Sequence, residues 1–168
     1  MTDKIVFLTC QRPNPILLDW LIATGSLTAK FEAISKQKLR VLPQFEGRKV
    51  LTKDEIQLLN FNQNRPHSAW VREALLYGEP DGEAWVSACS VFPFASLTGN
   101  AKKLTRLGKM PIGYVMFGRG GAQLTQRWID YTPKGWQRVS LYSWQGRKFL
   151  ISETFLPAFE DDITYKLG

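Results

Sequence analysis

From Ser68 to Leu156 the chain runs through strand-patterned segments joined by turn chemistry, and this constrains its fold more than any other feature. "SAWVREALLYG" and "EAWVSACSVFP" flank "EPDG", whose Pro-Asp-Gly chemistry predicts a hairpin. "LTQRWIDY", "GWQRVSLYSW" and "RKFLISETFLP" follow as strands, with "TPKG" and "WQG" at their turns. Consecutive strands with connections this short pair antiparallel, because a parallel return needs a long crossover. Helical patterns lie before and between them. "PILLDWLIAT" sets Ile16, Leu17, Trp20 and Leu21 at helical spacing behind Pro15, with Gly25 as a stop. Ser26 can cap the next helix, with its stripe Leu27, Phe31 and Ile34, while Thr52 and Glu55 have capping-box spacing. "KLRVL" and "RKVL" read as extended, and "LTRLG" and "PIGYVMFG" as short helices broken by Gly108 and Pro111. Helices gathered around consecutive strands predict an α+β fold, not a doubly wound one.

The 168 residues, 44% of them hydrophobic, suffice for a core without metal or disulfide staples. No repeat or linker divides them, so one domain is expected over 1–168. The opening "MTDKIVFLTC" contains an acid and an apolar run of only Ile5 to Leu8, short of a signal peptide or membrane span. A cytoplasmic protein without membrane insertion is expected. Cys10 and Cys89 are far apart and without metal-ligand spacing, so both are expected as buried free thiols. His67, the single histidine, stands beside Pro66 in a polar loop, which argues against a Ser-His-Asp triad or a histidine-rich metal site. "GRGG" (Gly118 to Gly121) lacks the context of a phosphate loop or dinucleotide fingerprint and reads as a flexible connection. Lys+Arg exceed Asp+Glu by 22 to 15, a net charge of +7 that favours anionic partners. "KKLTRLGK" concentrates part of the excess without any nucleic-acid-binding signature, so a basic surface is expected there rather than a nucleic-acid site.

Two charges stand out of place. In "SAWVREALLYG" the strand alternation sets Arg72 on one face with Trp70, Ala74 and Leu76; in "KFLISETFLP" it sets Glu153 with Phe149, Ile151 and Phe155. An arginine cannot shed its proton to escape burial, and burying either group unpaired costs several kcal/mol, of order 3–5. Two solutions are open. Arg72 and Glu153 pair with each other, or with Glu73 and Arg147, as buried structural ion pairs. Alternatively both line a closed cavity, the arginine gripping a ligand carboxylate and the glutamate addressing a hydroxyl or proton at the ligand's other end.

"LLDWL", "GSLTAKFE", "WVREALL", "EAWVSACSVFP", "LGKMPIG" and "ETFLPAF", in that order from about Leu17 to Phe159, resemble the bacterial chorismate lyases of ubiquinone biosynthesis. The resemblance implies a monomeric α+β protein with a six-stranded antiparallel sheet and a buried site under helical flaps. It implies elimination of enolpyruvate from chorismate to give 4-hydroxybenzoate and pyruvate, with no cofactor or metal. Carried onto this sequence, it gives Arg72 as the holder of the ring carboxylate and Glu153 as the group near the ring hydroxyl, the two catalytic residues. Backbone N–H groups at Leu27 and Ile112 complete the substrate-binding set. One departure concerns Cys89, where many relatives have an arginine suited to the enolpyruvyl carboxylate. Lys30, Lys102 and Lys103 are the candidates to replace it.

The competing expectation is a non-catalytic binding domain for an aromatic acid, because regulator effector domains look similar to chorismate lyases in fold. Those domains normally follow a helix-turn-helix segment, and there is little room for one before Leu17.

Overall fold

Local capping chemistry starts the first three helices where the sequence predicts. Asn14 accepts from the Ile16 amide at 2.8 Å to open α1 (Pro15–Ile22), and Ser26 accepts from Ala29 at 3.1 Å to open α2 (Leu27–Ser35). Thr52 and Glu55 exchange both bonds of a capping box at the start of α3 (Lys53–Leu58). Between α1 and α2 the chain turns at Gly25, whose φ of +92° is open to glycine at little cost. The structure, a computed structural model, describes residues 4–167; Met1 to Asp3 and Gly168, the ends of the expected domain, lie outside the described residues.

The strands are β1 (Ile5–Phe7), β2 (Arg40–Val50), β3 (Ser68–Tyr77), β4 (Val86–Pro93), β5 (Gln123–Thr132), β6 (Gly135–Trp144) and β7 (Arg147–Phe155). They form one seven-stranded sheet in the order β1-β5-β6-β7-β4-β3-β2. The two extended segments before α3 are a single strand, β2, with a register shift between Pro43 and Phe45. β2 to β7 pair antiparallel, but β1 pairs parallel with β5, so the sheet is mixed and seven-stranded rather than six-stranded and antiparallel. Three residues carry too little pattern to announce a strand. β1 forms because the β5 edge offers unpaired backbone groups, and the long stretch of chain between the two strands, through β2, β3 and β4, lets them run parallel.

One face of the sheet carries two helical groups. α1, α2 and α5 (Pro157–Leu167) pack Leu17, Trp20, Phe31 and Phe159 over Trp85 and Phe155. A 3-10 segment (Gly99–Arg106) and α4 (Gly113–Met116) pack Leu104, Leu107 and Met116 over Phe92, Tyr142 and Phe149. The opposite face holds α3, with Ile56 and Leu59 on Val71, Val91 and Leu150. Between the two helical groups the covered face turns polar. There, register aligns Glu46, Arg72, Ser90, Ile151, Ser140 and Arg127 across β2, β3, β4, β7, β6 and β5.

Candidate active site

Arg72 is 4% exposed and Glu153 is 7% exposed, yet neither bonds the other. β4 runs between their strands and presents Ser90 opposite Arg72 and Ala88 opposite Glu153. Two strand spacings, roughly 10 Å, therefore separate them. The short side chains of Ala88 and Ser90 leave a hollow over the sheet. That cavity encloses about 30 Å³ and is lined by Arg72, Glu153, Leu27, Ile112, Thr28 and Phe117 among others. All four residues singled out from the sequence thus border one space. It has room for about one or two waters, whereas a benzene ring needs a cavity of about 150 Å³. Larger hollows, of about 500 and 390 Å³, are open surface grooves.

The expected pairings with Glu73 and Arg147 do not form. Glu73 bonds Lys49 at 2.8 Å on the opposite face, and Arg147 bonds Thr98 and Gln145. Arg72 instead donates from Nε to Glu46 at 3.2 Å and from Nη2 to the carbonyls of Gly108 and Met110 at 3.0 and 2.9 Å. Three of its five donors are so engaged, leaving the two N–H groups of Nη1. Burial holds its guanidinium below the usual arginine range, opposed by the charge and hydrogen bond of Glu46. Glu153 accepts from Arg138 Nε at 2.6 Å, and Arg138 is 1% exposed.

Arg138 and Arg127 are not among the residues the sequence reading selects. The signal was present: alternation in "GWQRVSLYSW" sets Arg138 with Trp136, Ser140, Tyr142 and Trp144, as it sets Arg72 among apolar neighbours. Arg127, 0% exposed, donates to Ser140, to the Tyr142 hydroxyl and to the carbonyls of Leu21 and Ala23. Both arginines meet carbonyls at the C-terminal end of α1, where cations complement the helix dipole. Burial and Arg138 together hold Arg127 below the usual guanidinium range, opposed by Tyr142 and Glu153. Three buried arginines against Glu153 and the partly exposed Glu46 leave this polar band with one surplus positive charge.

Two elements close the cavity from above. Leu27 is the first residue of α2, where backbone N–H groups have no intrahelical acceptor. Ile112 immediately precedes α4. The two elements meet at Gly113, where an added Cβ would fall 2.6 Å from Thr28 Oγ1 and 2.7 Å from Ser26 Oγ. Tyr114 donates to Glu32 at 2.6 Å and ties α4 to α2 at the surface.

The substitutes proposed for the second anion site lie elsewhere. Lys102 and Lys103 line an exposed groove with Phe94 and Arg106, and Lys30 lies over the Trp20 ring at 4.3 Å and bonds Asp19 O. Cys89 is turned away as well. It pairs in register with Glu73 and Ser152 and packs with the α3 cluster on the opposite face, so a side chain there points away from the cavity.

The cysteines differ from expectation, since both are free but Cys10 is exposed and Cys89 only half-buried. Burial, with Glu73 and Glu55 nearby, pushes the Cys89 thiol up to about 11. At pH 8 roughly one Cys89 in a thousand is then thiolate. An alkylating reagent at that pH is expected to modify Cys10 and spare Cys89 until the chain unfolds. Mass spectrometry reads the result, and two equally fast thiols would contradict the placement of Cys89.

Together, a largely antiparallel platform, a small, mostly enclosed cationic cavity and two covering elements define a class of α+β protein with a site suited to a small organic acid. The comparisons narrow that class. Residues 7–163 match the family model described as chorismate lyase. The "Probable chorismate pyruvate-lyase" of Psychrobacter arcticus is 46% identical over 162 residues, covering 95% of this chain and 96% of that protein. A protein of the same description from Acinetobacter baumannii is 43% identical, covering 88% and 85%. The "Chorismate pyruvate-lyase" of Yersinia enterocolitica is 33% identical, covering 84% and 82%. The chain belongs to the chorismate lyase family. A solved structure of a possible transcriptional regulator, YydK from Bacillus subtilis, covers 91% of this chain and 63% of its own at 9% identity and a TM-score of 0.44, too loose a likeness to bear on function.

Proposed function

We propose that this protein is a chorismate lyase, removing enolpyruvate from chorismate to give 4-hydroxybenzoate and pyruvate for ubiquinone biosynthesis. The observation that carries the reading is the small covered space with Arg72 at one side and Glu153 at the other, in a chain whose relatives bear that enzyme's name. It acts as a single-domain cytoplasmic monomer, without metal or cofactor. Among the described residues no helix is long and apolar enough to cross a membrane.

The reaction breaks the C3–O and C4–H bonds of chorismate and forms the last ring double bond, so aromatisation drives it. Catalysis is then mainly a matter of geometry and of stabilising the departing enolate. Arg72 Nη1, with the engaged Nη2 shifting its bonds, grips the ring carboxylate, while the Leu27 and Ile112 amides meet its outer edge. Glu153 accepts a hydrogen bond from the C4 hydroxyl or takes the C4 proton. The surplus positive charge of Arg127 and Arg138 favours the second carboxylate without a side chain at position 89. Pure protein mixed with chorismate is expected to form 4-hydroxybenzoate and pyruvate in equal amounts. Tight binding of 4-hydroxybenzoate with no turnover would favour a binding domain instead.

A cavity this small must open to admit a ring, so α2 and α4 part during each cycle and lid opening limits product release. Gly113→Ala places a methyl group against Thr28 and Ser26 and holds the covers apart. A release of product inhibition by about tenfold, with stability lower by about 1–3 kcal/mol, is expected. Inhibition constants for 4-hydroxybenzoate test this, and an unchanged constant would mean that closure does not retain product.

A further inference from the structure

We propose that Arg138 is a positioning residue of this site: it fixes the Glu153 carboxylate and ties it to the end of α1, from which the chain turns into the covering helix α2. The inference rests on the lyase reading above. Arg138 Nε donates to Glu153 Oε2 at 2.6 Å, while its Nη1 donates to Trp20 O at 2.8 Å and Ala23 O at 3.2 Å. One rigid, planar guanidinium therefore spans two elements, and neither bond can lengthen without turning the other. Oε2 is held, which leaves Oε1 as the oxygen of Glu153 with no hydrogen-bond partner among the described residues. A carboxylate fixed by one edge has the other aimed in a set direction, which is what a base or orienting group for the C4 centre requires.

The path to the cover is short. Ala23 is the cap of α1, Gly25 turns the chain, and Leu27 begins α2 and lines the cavity. Arg138 thus references the catalytic carboxylate and the cover to one point. Arg127 is an internal control, because it binds the same Ala23 carbonyl and Leu21 O but no carboxylate. A merely structural role would be shared by both arginines, whereas positioning of Glu153 belongs to Arg138 alone.

Glu153 is faced by Arg138 from β6, with Arg127 and Tyr142 behind it, by Arg72 across the cavity and by Lys30 of α2 near Arg138; the cavity-lining residues of α4 and its approach are uncharged. Removing Arg138 takes away the one side chain that bonds Glu153 among the described residues, so the carboxylate loses its fixed direction.

The test compares R138Q, R138K and R127Q in the full chain, alone and in the E153Q background, by kcat, KM and melting temperature. R138Q is expected to lower kcat at least tenfold, with KM rising no more than in R127Q, since each variant removes one charge from the band that favours the second carboxylate. R138K recovers part of kcat, and serves alone if R138Q does not fold: its ammonium reaches Glu153 or the α1 carbonyls but not both, so kcat stays below wild type. R127Q lowers the melting temperature and raises KM comparably, but its kcat falls much less than that of R138Q, because Arg127 bonds no carboxylate. In the E153Q background, R138Q lowers kcat less than twofold further, because its effect passes through the missing carboxylate. If R138Q loses kcat by the same factor with and without Glu153, or lowers kcat no more than R127Q does, Arg138 is only a helix cap and the proposal fails. Wild-type protein inert towards chorismate would sink the lyase reading instead, a result that is separate from both.

Discussion

Arg72→Ala is expected to weaken binding of chorismate and of 4-hydroxybenzoate together, by roughly 10²–10³-fold. Truncating one side of a desolvated charge pair costs about 2–5 kcal/mol, and each 1.4 kcal/mol is tenfold in affinity. Substrate and product suffer alike because, in the proposed site, both present the same ring carboxylate to the guanidinium. A second effect adds to the first. Nη2 also holds the carbonyls of Gly108 and Met110, so the segment leading to Ile112 and α4 loses its tether to β3. Glu46 keeps partial access to solvent and tolerates the loss of its partner better than a sealed carboxylate would. Arg72→Lys restores charge but not the fork that serves ligand and loop at once, and is expected to recover only part of the affinity. Titration of 4-hydroxybenzoate by intrinsic fluorescence measures the result, and an unchanged product affinity would remove Arg72 from the anion site.

Glu153→Gln is expected to lower kcat by about 10² if the carboxylate takes the C4 proton, since general-base contributions run at about 10²–10⁴. Near-normal turnover would leave the side chain an orienting role, which the amide oxygen can still fill. Stability falls in either case. Arg138 is sealed in, and removing its counter-charge leaves a buried cation uncompensated, at a cost of about 3–5 kcal/mol. For a chain of this size each kcal/mol lowers the melting temperature by about 2–4 °C. Single-turnover kinetics at a temperature where the variant is fully folded separates the chemical effect from the loss of stability.

Much of the local structure was legible beforehand. Pro15 marked the start of the first helix, and Ser26 and Thr52 begin the next two through bonds to amides three residues away; such signals are written in adjacent letters, though the Asn14 cap was not read. Alternation was equally local, so it placed Arg72 and Glu153 on apolar faces of their strands. It also marked Arg138, among Trp136, Ser140 and Tyr142, although the lone charge was not taken up there. β1 was not legible, because three residues have no period and their partner lies more than a hundred positions away.

The ordering of charged groups along the strands was therefore a property of the sequence by itself, as were the helix starts and the surplus of positive charge. Which charges became neighbours was decided only by tertiary structure. Strand order and register gave Arg72 to Glu46 and Glu153 to Arg138, set Ala88 and Ser90 between them as the floor of a cavity, and turned Cys89 to the other side. The physical reason is that a hydrogen-bonded ladder joins any two strands of suitable pattern with nearly equal backbone energy. The choice among partners is made by long-range packing of side chains, which no single segment contains.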